Sequence, residues 1–369
     1  MEEQPIRIAQ IMGIMNNGGV EAVVMNYYRA IDRTRVQFDF FVDETCSFPQ
    51  REEIERLGGR CYLVPSYARA IAYVRALCRL FRENQYRIVH SQINTMGVLP
   101  LFAAWLCKIP VRICHNHSTT SRNEWKKNLM KILLRPMTRL FATRYYACGD
   151  TAARWMFGNR LVDAGRVTVL PNAIDLSAFA FSAEERKAVR AELQIPYDAL
   201  LIGHVGRFSF TKNHAFLLRI FQAVLKIRPD ARLLLIGEGE LYDSTIQLSK
   251  DLGIEQSVLF LGVRKDVPRL YSAMDVFCLP SYYEGLPVVM VESLANGLAC
   301  VVSDQVTKEL NAYNVLQLPL EDGAEVWAKA LCEAKREFTT PEALFDQFDI
   351  TKTSKRLEAY YLAQSCANA

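Results

Sequence analysis

The stretch that most restricts the fold lies at residues 276–303. Val276, Phe277, Cys278 and Leu279 form a short apolar run that suits a buried strand, and residues 298–303 form another. Between them come a turn-rich segment, Pro280 to Leu286, and an apolar helical stretch, with Pro287 placed as the first helical residue and Gly297 just past the end. Two neighbouring strands joined through a helix run parallel, and a parallel sheet needs helices on both faces. The unit therefore commits the chain to a layered α/β architecture.

The same alternation recurs from the start. Residues 6–12 read as a strand, followed by Asn16, Asn17, Gly18 and Gly19 and a helix through Ala30. Further strands are expected at 38–42, 61–64, 87–90, 111–114, 145–148 and 167–170, with helices at 52–57, 68–83 and 95–106 between them and Asp150 as a helix cap. A second series begins at 201–205 and continues at 232–236 and 258–261, with a helix at 215–226 and a short one at 266–271. Pro171, Asn172, Ala173, Ile174 and Asp175 lie between the two series and read as a linker. With 369 residues there is room for two cores. The expected domains are 1–172 and 173–349, with helices at 327–336 and 353–363 closing the chain.

Half the residues are apolar and 23% are charged, as in a globular protein. The net charge of +4 is too small to imply nucleic acid, and no recognition motif or stacking platform accompanies the basic residues. Ten cysteines are scattered without a C-x-x-C pair, and Cys107, Cys114, Cys278 and Cys300 sit in apolar runs, which suits buried, reduced thiols. The chain starts Met1-Glu2-Glu3-Gln4-Pro5 with no basic-then-apolar leader, and no apolar run approaches the roughly 18 residues of a membrane span. A cytoplasmic location is the expectation.

Candidate chemistry gathers at strand ends, where parallel sheets meet their ligands. A helix starting near Gly285, Leu286 and Pro287 puts backbone N–H groups and a positive dipole beside Glu284, a ready anion site. A carboxylate so placed makes sense if hydroxyl groups flank the anion, as in a nucleotide sugar. Glu284 would take sugar hydroxyls and Glu292, two turns on, ribose hydroxyls; the alternative is that Glu284 complements the dipole and Glu292 is solvated. Arg207 and Lys212 share a loop before a helix, an arrangement for gripping a diphosphate with one forked and one point cation, against surface ion pairing. Gly18 and Gly19 either let backbone approach a phosphate or merely form a tight turn. His115 and His117 follow one strand end, with no third ligand at metal spacing. No D-x-D stands at a strand end, so neither a metal nor any other cofactor is expected. From Arg122 to Arg144 the chain carries Lys126, Lys127, Lys131, Arg135 and Arg139 against a single acid, Glu124, interleaved with Trp125, Leu129, Met130, Ile132, Leu133, Leu134, Leu140 and Phe141. Such a stretch either lies on an anionic membrane or packs on the sheet with a solvated basic face.

The wording E-G-L-P-x-x-x-x-E-S-L-A-x-G from Glu284 to Gly297 resembles the signature of the retaining GT-B glycosyltransferases of family 4. Residues 206–214 resemble that family's G-R-F-S-x-x-K-N-H element, and 171–175 its P-N-G-I-D hinge with alanine for glycine. The resemblance covers nearly the whole chain. It implies two Rossmann-like, doubly wound parallel-sheet domains facing across a cleft, the last helix, about 350–369, completing the first. By resemblance, Arg207 and Lys212 hold the leaving diphosphate, the backbone near Gly237, Val263 and Arg264 holds the nucleotide, Gly18 and Gly19 face the substrates, and His115 or His117 lies near the anomeric carbon. The implied activity is transfer, with retention, of a sugar from a UDP-linked donor to a glycan or lipid-linked glycan acceptor. The segment 303–309 departs from the glycine pair of many relatives and, like Gly18 to Glu21, is closer to the exopolysaccharide and capsule branch. Membrane contact through 122–144 at the inner face of the plasma membrane would suit such acceptors. The rival readings are a nucleotide-sugar epimerase or phosphorylase on the same fold, and a non-catalytic sugar-nucleotide-binding subunit.

Overall fold

The computed structural model describes residues 4–16, 18–118, 125–337 and 346–366. The chain divides into two compact units, Met1–Ala173 with Asp349–Ala369, and Ile174–Phe348.

The first unit contains, among the described residues, seven strands: β1 (Ile6–Gly13), β2 (Val36–Asp43), β3 (Arg60–Val64), β4 (Ile88–Ser91), β5 (Val111–Asn116), β6 (Arg144–Ala147) and β7 (Val167–Val169). All pair in parallel in the order β3-β2-β1-β4-β5-β6-β7. Every residue of β2 is buried, since helices cover both faces of a parallel sheet. On one face Ala9, Ile11, Phe41 and Val89 pack against Leu77 and Phe81 of the helix Ala70–Glu83. On the other face the helix Ile350–Cys366 sets Tyr361 edge-on to Phe38, with ring centroids 5.9 Å apart.

The second unit contains β8 (Leu201–Val205), β9 (Arg232–Ile236), β10 (Val258–Phe260), β11 (Val276–Leu279), β12 (Ala299–Ser303) and β13 (Val315–Leu318). The order is β10-β9-β8-β11-β12-β13, again all parallel. In each sheet the winding reverses once, between β1 and β4 and between β8 and β11. Loops leaving those strands diverge to opposite sides and open a crevice at the carboxyl ends. The core of this unit includes Ile202, Leu218, Phe221, Leu233, Val301 and Trp327.

Two helix starts differ from expectation. Pro287 is the extended N-cap (φ −72°, ψ 123°) of the helix Val288–Ala295, not its first residue. Gly297, at φ +77°, does end that helix: Gly297 and Leu298 N–H donate to Leu294 and Ser293 carbonyls at 2.9 and 3.0 Å. Asp150 is not a cap either. Gly149 holds that position, and Asp150 sits inside the first turn, where it pairs with Arg154 at 2.6 Å. Helix Ala183–Glu192 is missed by apolar periodicity because most of its residues are charged or alanine. Its signal is the cap, Ser182, whose hydroxyl accepts from the Glu185 N–H at 3.2 Å. Its anchor is Arg190, fully buried, which donates to the carbonyls of Ala273, Pro196, Tyr197 and Ala199 and pairs with Asp275 at 2.7 Å.

Candidate active site

In the second unit, the segments after β8 and β11 are tied side by side at the reversal point. Tyr282 N–H donates to the Thr211 carbonyl at 2.9 Å, Asn213 Nδ2 to the Pro280 carbonyl at 3.1 Å, and Phe210 stacks on Tyr282 at 4.7 Å. Asn213 manages the abrupt entry into helix His214–Ile227 by taking the left-handed conformation, φ 55° and ψ 46°. The result is that Lys212 Nζ lies 2.6 Å from Glu284 Oε1, both side chains only 16% exposed. Two charges far apart in sequence thus meet beside the start of helix Val288–Ala295, whose first-turn N–H groups lack an intrahelical carbonyl.

Arg207 sits further out. Its guanidinium is exposed and pairs with Glu240, Nη2 to Oε2 at 3.1 Å. It has not been drawn into the Lys212–Glu284 contact. Gly237 and Gly239 are required by backbone packing: a Cβ on Gly237 (φ +135°) would stand 2.1 Å from the Gly206 carbonyl oxygen, and one on Gly239 (φ +158°) 2.4 Å from that of Phe208. These glycines let the β9 loop buttress the Arg207 loop, with Phe208 N–H donating to the Glu238 carbonyl at 2.9 Å. The Arg264 guanidinium is occupied by Asp266, two bonds of 2.7 Å each, and by Glu192 at 3.2 Å, so this neighbourhood offers a ligand Val263, which is exposed, and backbone. Gly285 and Leu286 lie in the segment that joins Glu284 to the helix.

Glu292 projects from that helix and accepts the Tyr271 hydroxyl at 2.8 Å. Burial raises its carboxyl to about 7, against the opposing effect of the Tyr271 bond. This side chain is not a solvated surface glutamate.

In the first unit, Gly18 is the N-cap of helix Gly19–Ala30 after β1. A Cβ there would meet only the movable carboxylate of Glu21, and one at Gly19 would meet nothing, so neither glycine is demanded by packing within the unit. His115 belongs to β5 itself and His117 follows it; both are buried, with rings 4.0 Å apart. Burial lowers His117 to about 3 and His115 well below the ordinary imidazole value, so both are neutral. Their neighbours His90, Gln92, Gln10 and Tyr361 carry no local motif and are gathered only by strand pairing and the last helix.

Helix Trp125–Phe141 exposes Leu129, Met130, Ile132, Leu133, Met137 and Leu140, and Trp105 and Leu106 are exposed on the helix that packs beside it. The basic residues are less available than the sequence suggests. Arg135 and Arg139 donate to the carbonyls of Trp155 and Phe157 at 2.7 and 3.0 Å, capping the end of helix Asp150–Phe157, because an open helix terminus there needs donors. Asn17, Thr119, Thr120, Arg122, Glu124 and the side chains of Trp125, Lys126 and Lys127 lie outside the described residues. No described helix is long and apolar enough to cross a membrane.

Residues 17–178 match the model of Glycosyltransferase Family 4, and residues 185–312 that of Glycosyl transferases group 1. The chain is 37% identical over 356 residues to the putative glycosyltransferase EpsF of Bacillus subtilis, covering 92% of this chain and 91% of that protein. It is 25% identical over 310 residues to the UDP-Gal:alpha-D-GlcNAc-diphosphoundecaprenol alpha-1,3-galactosyltransferase of Escherichia coli, covering 81% and 79%. Its fold resembles the crystal structure of Anabaena Alr3699/HepE in complex with UDP and glucose, with a TM-score of 0.79, 18% identity and coverage of 97% and 99%.

Proposed function

The chain belongs to the family 4 glycosyltransferases of GT-B fold, and from that premise we propose that it moves a sugar from a UDP-sugar, with retention, to a glycan or lipid-linked glycan acceptor in exopolysaccharide or capsular polysaccharide synthesis. The observation that carries the reading is the Lys212–Glu284 contact at the carboxyl ends of β8 and β11. A diphosphate arriving there offers Lys212 a stronger anionic partner and frees Glu284 to accept hydroxyls of the attached sugar. The bond from the anomeric carbon to the diphosphate oxygen breaks, and negative charge grows on the leaving group. Lys212, Arg207 and the end of helix Val288–Ala295 meet that charge where it is greatest, a task that needs no metal. The acceptor oxygen bonds to the anomeric carbon on the face the diphosphate leaves, and its proton passes to the departing phosphate oxygen. Glu292 takes the ribose hydroxyls, the backbone at Gly237, Val263 and Arg264 lines the nucleotide, and Gly18, Gly19, His115 and His117 serve the acceptor.

The relative that acts on a diphosphoundecaprenol-linked sugar supports an acceptor anchored in lipid. The exposed apolar side chains of helix Trp125–Phe141 support docking of this protein on the cytoplasmic membrane surface. The test is transfer from a panel of UDP-sugars to a short undecaprenyl-diphosphate sugar, with the anomeric configuration of the product read by NMR. Lys212→Ala should cost on the order of 100-fold or more in kcat. Interconversion of the donor sugar without any acceptor would instead establish an epimerase, and UDP binding with no turnover a non-catalytic subunit.

A further inference from the structure

Six side chains of the first unit form one continuous hydrogen-bonded chain. His117 Nε2 meets Gln92 Oε1 at 2.8 Å; Gln92 Nε2 donates to Gln10 Oε1 at 2.9 Å; Gln10 Nε2 donates to the Tyr361 hydroxyl at 3.2 Å. The Tyr361 hydroxyl meets His90 Nδ1 at 2.6 Å, and His90 Nε2 meets His115 Nδ1 at 3.1 Å. The fold explains the gathering. Gln10 and His90 are register partners on β1 and β4, His90 pairs with Ile113 two residues before His115, and Tyr361 comes from the helix laid over that face. The two ends of the chain, His117 and His115, lie ring against ring at 4.0 Å. At those ends two buried nitrogens, His117 Nδ1 and His115 Nε2, have no hydrogen-bond partner among the described residues.

A neutral imidazole carries one N–H and one bare nitrogen, so each junction fixes the next. With the amides oriented as above, His117 must donate from Nε2, leaving Nδ1 bare. The Tyr361 hydroxyl accepts from Gln10, and its own buried proton needs an acceptor, which His90 Nδ1 supplies; His90 then donates from Nε2 to His115 Nδ1, and His115 carries its proton at Nε2. Reversing both amides reverses every junction, leaving His117 with a free N–H and His115 with a bare nitrogen. Any other setting places two donors or two acceptors face to face in the interior, or strands the Tyr361 proton without an acceptor, which disfavours it roughly 5- to 150-fold. The adjoining cavity of about 10 Å³ holds at most one water, so solvent offers little relief at these junctions.

We propose that Gln10, Gln92, His90 and Tyr361 are positioning residues that hold the two free nitrogens of His115 and His117 in opposite roles, one always a donor when the other is an acceptor. A donor and an acceptor on adjacent rings match a hydroxyl group, which takes one hydrogen bond and gives one. The proposal rests on the reading above only in supposing that this hydroxyl belongs to a sugar.

The test is 15N NMR of the full chain labelled at its five histidines, before and after Tyr361→Phe, which removes one oxygen and keeps the ring. In the wild type one of the two free nitrogens should be protonated and the other bare. In Tyr361→Phe the coupling is cut at His90, and the His115 signals should move toward an average of both tautomers while His117, still held by Gln92, keeps its pattern. Gln92→Leu should do the converse. Two protonated or two bare free nitrogens in the wild type, or unchanged His115 signals in a folded Tyr361→Phe, would overturn the proposal. Shifted tautomers with turnover unaltered would uphold the relay and remove the histidines from the transfer reaction.

Discussion

Nucleotide donors should bind this protein more weakly as the pH falls below 7, and Glu292 is the reason. Its carboxyl is raised from 4.5 to about 7, because helix Val288–Ala295 holds it where water is scarce and Tyr271 supplies a hydrogen bond. In the free protein at pH 5.5 most copies are protonated. A protonated carboxyl has lost much of its capacity to accept, and the ribose proposed to meet Glu292 presents two hydroxyl donors, so binding should select the ionised form. If those bonds return the carboxyl to its ordinary value, the ratio of protonated fractions makes binding about 30-fold weaker at pH 5.5 than at pH 8.5, about 2 kcal/mol. The probe should be UDP-glucose, whose diphosphate is a diester and takes up no proton in this range, titrated calorimetrically. Glu292→Gln cannot ionise and should bind more weakly at high pH with a flat profile. A flat profile in the wild type, or an unchanged slope in Glu292→Gln, would refute the reasoning. The stability linkage has the opposite sense. A carboxyl whose folded value is raised is best tolerated below its unfolded value, so stability falls between pH 4.5 and 7, by at most about 3 kcal/mol. Glu292→Gln should remove that decline.

Arg190→Ala should destabilise the second unit by about 2–3 kcal/mol in thermal or urea unfolding, since it takes one of two arginine partners from Asp275 and removes the donor that serves the carbonyls of Tyr197 and Ala199, while Ala273 and Pro196 keep a second donor. Gly237→Ala should cost about 2 kcal/mol or more through its left-handed φ and its clash with the Gly206 carbonyl, and should weaken UDP-glucose binding by displacing the Arg207 loop; unchanged stability would show that this loop is free to shift. Leu133→Glu with Leu140→Glu should abolish sedimentation with vesicles of anionic phospholipid while leaving the melting temperature within a degree or two, since both side chains are exposed. Retained sedimentation would place membrane contact elsewhere.

Much of the architecture was written locally. Apolar runs of strand length separated by helical periodicity dictate parallel sheets wherever they occur, because neither element can bury its apolar face alone. Short polar words, Arg207 to His214 and Glu284 to Gly297, likewise mark loops at strand ends. What the sequence could not disclose was which of those residues touch. Lys212 meets Glu284 because β8 and β11 are neighbours although β9 and β10 intervene in the chain, whereas Arg207, only five residues away, ends at an exposed position against Glu240. Arg135 and Arg139 read as surface charge until a neighbouring helix end claimed them. Glu292 acquires its weakened acidity, and His90, Gln10 and Tyr361 their connection to His115, only through distant segments that exclude water and fix hydrogen-bond direction. Periodicity and turn chemistry are properties of a few consecutive residues and survive in a string of letters. Desolvation and the polarity of a buried network belong to groups brought together across the whole fold.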